Sequence, residues 1–191
     1  MSENIESIHS NSSTSISENL LNDYINEKLI KKICFLLEAL IDLNNEKSLK
    51  KGIIKETLFD LKTIPNISLY DYLYHIVKYT KINDTILIRA LVYIDRINKK
   101  KKFIINYYNI HKLLLISILL AAEHNKDNFV NKKIYSNIGG ISLKELQKLE
   151  KEFCKYINYG LYINKALFVK YYLNINNDYV FNYINEELKR K

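Results

Sequence analysis

The residues whose types could do chemistry are four histidines (His9, His75, His111 and His124), Cys34 and Cys154, a serine at Ser117 and the glycine pair Gly139-Gly140. The histidines have no His-x-x-x-His spacing. Glu123, His124 and Asp127 offer a thinner ligand set than a zinc site needs, so no metal is expected. Ser117 has no base beside it in the sequence and reads as a small packing residue rather than a nucleophile. The glycine pair lacks the Gly-rich loop with a following Lys-Ser or Lys-Thr that cradles phosphate, and reads as the turn before a helix cap. Both cysteines fall in helical apolar patterns, where a reduced core thiol is the common case, pointing to an intracellular, reducing compartment. The 16 tyrosines recur at helical spacing and read as core and boundary aromatics, not as a platform for stacked bases. No catalytic signature emerges, so neither enzymatic activity nor a cofactor is expected.

What positions these residues has to come from a soluble helical core. The chain has 191 residues, 48% of them hydrophobic, which suits one domain with extensions. It contains no charge-free apolar run of the roughly 18 residues that a membrane span requires. The N-terminus has no basic region leading into an apolar stretch, so no signal peptide is expected. The net charge of +8 rests on lysine, with only three arginines, and phosphate and base forks favour arginine. Abundant Lys, Asn, Ile and Tyr together are what an AT-rich coding sequence produces. No direct nucleic-acid binding is expected.

The segment 1–19 is rich in Ser and Asn and poor in large apolar groups, and is expected to be disordered. From Leu20 to Leu43 apolar residues recur every three or four positions, predicting an amphipathic helix, and Asn44 to Gly52 breaks the pattern into a linker. A short helix is expected over Ile53 to Lys62, before Pro65. Ser68 with Asp71 caps a helix ending near Thr80, and Asn83 or Asp84 starts the next, which the lysine run Lys99 to Lys102 ends. A central helix begins between Asn106 and Asn109 and ends near His124. It is apolar nearly all round, so it belongs in the middle of a bundle, with Ser117, Leu120 and Ala121 deeply buried. Asn125 to Asn137 reads as a polar connection, and Ser142 with Glu145 as a capping box for the helix Leu143 to Asn158, with Gly160 as its stop. Short helices around Lys165 to Leu173 and Asp178 to Lys189 close the chain. Asp95 and Arg96, at the end of an apolar helix, each call for a partner.

The stretches Ile67 to Leu73, Tyr93-Ile94-Asp95-Arg96, Asn109 to Leu114, and Tyr135 to Ser142 with Leu146 and Leu149-Glu150, resemble in order the cyclin box of the P-type cyclins. The resemblance runs from about Phe59 to Leu173. It implies an all-α fold, a five-helix cyclin box with a central buried helix, plus an added N-terminal helix and short C-terminal helices. The expected organisation is therefore a tail at 1–19, an N-terminal helix and linker at 20–52, the box at 53–175 and a C-terminal helix at 176–191.

The same resemblance implies a regulatory subunit that binds and activates a cyclin-dependent protein kinase, with Glu123 and Glu150 in the kinase interface and Asp95 and Arg96 as a structural polar signature. A cyclin-fold scaffold, or a transcription-factor-like interaction protein that does not activate a kinase, is the alternative; neither a second repeat nor a zinc ribbon supports the latter. The family's interface lysine falls on Glu123. If the fold brings Glu123 near Glu150, two carboxylates require a compensating cation, from Lys126 or from a basic residue on the kinase, and the second is expected. The family arginine that pairs with the aspartate falls on Asn66, and the tryptophan of the mitotic docking patch on Tyr72.

Overall fold

The computed structural model describes residues 25–51, 56–100, 103–125 and 130–178, with backbone alone for 46–51. These residues form seven helices and no strand: α1 Glu27–Lys51, α2 Leu69–Thr80, α3 Asp84–Asn98, α4 Ile110–His124, α5 Lys132–Ile138, α6 Leu143–Tyr156 and α7 Lys165–Asn176. The fold is all-α around α4, which touches α2, α3, α5 and α6, while α1 lies on α2 and α7, and α7 also on α3. None of the helices is long and apolar enough to cross a membrane.

The centre follows from composition. Every residue of α4 from Leu113 to Ala122 is buried, so the helix has no side left for water. Ser117 and Ala121 are fully buried and small, which lets the neighbouring helices approach, and the Ser117 hydroxyl donates to the Leu114 carbonyl at 2.9 Å rather than being left unpaired. Gly139 serves the same close approach from outside: a Cβ there would sit 2.5 Å from a methyl of Leu115. Its neighbour Gly140 takes the left-handed φ of 60° that turns the chain into the cap of α6.

Caps define the helix starts. Ser68, Asn83 and Ser142 each accept from the backbone N–H three residues on, satisfying a donor that the first turn would leave free. At α6 only half of the expected box forms, because the Glu145 carboxylate pairs with Lys112 on α4 at 3.0 Å.

Four expectations need correction. The linker from Asn44 is helical to Lys51, because the Asn44 amide donates to Asn98 Oδ1 at 3.2 Å and to the Ile105 carbonyl at 3.1 Å, so tertiary bonds hold a residue that would otherwise favour a turn. The short helix before Pro65 is absent among residues 56–62: Asp60 accepts from both the N–H and the hydroxyl of Thr57, at 2.6 Å each, closing a turn instead. The polar connection contains a helix, α5, capped by Asn131. Past α6 the left-handed residues are Asn158 and Tyr159, not Gly160. The tail at 1–19 and the helix expected beyond Asp178 lie outside the described residues.

Candidate functional site

Glu123 stands in the last turn of α4, Glu150 in the middle of α6 and Lys132 at the first position of α5, and the contacts among these three helices bring the side chains together. The Lys132 ammonium lies 2.7 Å from Glu123 Oε1, and 2.8 and 3.1 Å from the two oxygens of Glu150. The Glu150 side chain is only 9% exposed, against 30% for Glu123 and 38% for Lys132, so the cluster opens to solvent through the lysine and Glu123. A compensating cation is thus supplied by this chain itself, at Lys132; Lys126 lies outside the described residues.

Two carboxylates share one ammonium, and the electrostatics follow. Burial works against the charge of Lys132, but the two carboxylates outweigh it and hold its pKa above that of an ordinary lysine. Burial pushes the Glu150 carboxyl up, the facing Glu123 adds to it, and Lys132 only partly pulls it back. An acid whose pKa is raised on folding contributes most to stability below its ordinary value of 4.5, and that contribution is lost as the pH rises through the raised value. Glu123→Gln should therefore lower the Glu150 midpoint, whereas Lys132→Met should raise it further. A side-chain carboxyl NMR titration of the two variants checks both directions.

The signature at the end of α3 does different work. The Tyr93 hydroxyl donates to the Leu161 carbonyl at 2.7 Å, and Arg96 donates to the carbonyls of Gly160 and, at 3.0 Å, of Tyr162. These bonds clasp the irregular connection between α6 and α7. Asp95 accepts from the Tyr171 hydroxyl on α7 and pairs with Lys99 one turn on at 2.7 Å, so α7 supplies the partner that Asn66 does not. The planar fork holds the two carbonyls with separate nitrogens in a fixed geometry that a single ammonium does not reproduce. Arg96→Lys should accordingly cost about 1–2 kcal/mol, read by chemical denaturation.

Of the other residues singled out by type, His111 and Cys34 are absorbed by the core, while His75 and His124 are exposed, Cys154 is half-buried and His9 lies outside the described residues. His111 is buried with its ring 5.0 Å from that of Tyr72, edge-on, and burial holds its pKa below the ordinary value, so it is a neutral packing residue. Cys34 is a buried free thiol, pushed by burial to a pKa of about 12, and so is inert at neutral pH. Among the described residues no group of three or more His, Cys, Asp or Glu could hold a metal ion, and Asp127 lies outside them. Lys132 is the functional candidate that sequence reasoning missed. Its signal was Asn131 as a cap, followed by Ile134, Tyr135 and Ile138 at helical spacing, in a stretch read as a connection because it is short and polar.

Residues 27–161 match the family model described as Cyclin. The chain is 32% identical over 148 residues to the Nuc-1 negative regulatory protein preg of Neurospora crassa, covering 76% of this chain and 31% of that protein. It is 28% identical to Cyclin-U2-2 of Arabidopsis thaliana, covering 83% of this chain and 73% of the relative. It is 30% identical to PHO85 cyclin-7 of Saccharomyces cerevisiae, covering 78% and 60%. The chain therefore spans about a third of the Neurospora protein and less than three quarters of the other two.

Proposed function

The chain belongs to the cyclin family, and on that premise we propose that it is the regulatory subunit of a cyclin-dependent protein kinase, one that binds the kinase and raises its activity. It acts inside the cell by contact and does no chemistry of its own. The observation that carries this reading is the convergence of Glu123, Lys132 and Glu150 on one open face where α4, α5 and α6 meet. A buried carboxylate and an accessible cation at the junction of three helices can fix the register of a partner, while apolar contact around them supplies most of the affinity.

The finer assignment, to the P-type cyclins, is supported by the motifs from Ile67 to Glu150 and by the likeness to a PHO85 cyclin, which puts PHO85 first among the partners to test. Mixing the purified chain with separately purified cyclin-dependent kinases, PHO85 included, should give a one-to-one complex with at least one of them on size exclusion. Elution as two unassociated species in every mixture would refute the reading. The carboxylate at position 123, where the resemblance expects a lysine, favours a second reading, a cyclin-fold scaffold that binds its kinase without activating it; activity measurements on the complex separate the two.

A further inference from the structure

Lys132 is in a poor place for a lysine. It is the first residue of α5, where the backbone N–H groups carry partial positive charge and an acidic residue is preferred, and the first turn of α5 has no acid to offset it. The helix gains nothing locally from this cation. What Lys132 does gain is Glu123 at 2.7 Å and Glu150 at 2.8 Å, from two other helices. A residue that opposes its own element and is satisfied only by the candidate site marks a functional constraint rather than a folding one.

Resting on the kinase-binding reading, we infer that Lys132 is the cation of the kinase contact, supplying from α5 the positive charge that the resemblance expects at position 123. The site has kept a cation beside the buried carboxylate of Glu150 but delivers it from another helix. Glu123 then has a role that a lysine there could not fill: it orients the Lys132 ammonium toward Glu150 and keeps its charge on. The cluster as a whole carries one net negative charge, from two carboxylates and one ammonium.

Exchange of the two charges is the test. Kinase affinity is measured by titration for wild type, Lys132→Glu, Lys132→Met and the double variant Glu123→Lys/Lys132→Glu, well below the melting temperature of each, using the kinase that binds wild type most tightly in the panel that includes PHO85. Lys132→Glu puts three carboxylates together and should weaken binding by about 100-fold, with Lys132→Met intermediate. The double variant keeps the net charge, returns the cation to α4 and should recover most of that loss on this kinase. Should Lys132→Glu fail to fold, Lys132→Met and the double variant carry the comparison alone. Wild-type affinity in both single variants, or a double variant no better than Lys132→Met, would overturn the inference and leave the kinase-binding reading standing. Failure of wild type to bind any kinase in the panel would overturn both.

Discussion

Glu150→Ala should weaken the complex with the kinase by about 2–5 kcal/mol, as expected when a desolvated, hydrogen-bonded charge is removed from an interface. The same substitution should not weaken the free chain. Burial and the facing Glu123 raise the pKa of Glu150, so its ionised form is held at a cost in the folded protein at neutral pH. Removing it leaves Lys132 paired with Glu123 at 2.7 Å, and no buried charge is orphaned. Affinity falling while the melting temperature holds or rises is the signature of a residue kept for binding. Isothermal titration and thermal melting of the same preparation measure both halves.

Phe59→Ala should destabilise the fold by about 3–5 kcal/mol, the usual cost of deleting a fully buried aromatic side chain. Phe59 is completely inaccessible and meets Phe103, Phe153 and Tyr156 with ring centroids 6.0, 6.1 and 6.3 Å away. Those rings belong to the segment before α4 and to α6, so a residue in a turn ties the start of the chain to two later elements. The backbone bond from Leu61 N–H to the Tyr108 carbonyl at 2.9 Å holds the same turn. Denaturant unfolding followed by circular dichroism reads the loss directly.

These two residues also mark where the sequence could and could not be read. The helices α2, α3 and α6 were legible because each carries a strong apolar period and begins at a side chain that caps it, as Ser68, Asn83 and Ser142 do. The placement of α4 at the centre was legible because no face of it is polar. Phe59 falls within the short helix expected over Ile53 to Lys62. The Thr57–Asp60 hydrogen bonds that make a turn instead depend on a side-chain choice that periodicity does not register. The continuation of α1 past Asn44 was equally invisible, because what overrides the local preference is an amide bonded to α3 and to Ile105, more than 50 residues away.

For the site, the residues came from resemblance and the geometry from the fold. Glu123 and Glu150 are 27 positions apart, and nothing in their spacing says that they meet. That they share a cation was anticipated in kind but not in identity. Lys132 sits among 26 lysines, and only its position at the start of a seven-residue helix aimed at both carboxylates distinguishes it. The partner of Asp95 was hidden for the same reason: Tyr171 is 76 residues away, on the helix that the Arg96 clasp brings alongside.

The central claim is that this cyclin-family chain switches on a kinase. Its most direct measurement is phosphate transfer to a peptide substrate by purified cyclin-dependent kinases, PHO85 among them, each with and without the full chain at saturating concentration. The account predicts no transfer by the chain alone and a clear rise in rate with at least one kinase, lost in Lys132→Glu and regained in Glu123→Lys/Lys132→Glu. A kinase that forms the one-to-one complex yet phosphorylates its substrate at the same rate as without the chain would contradict it.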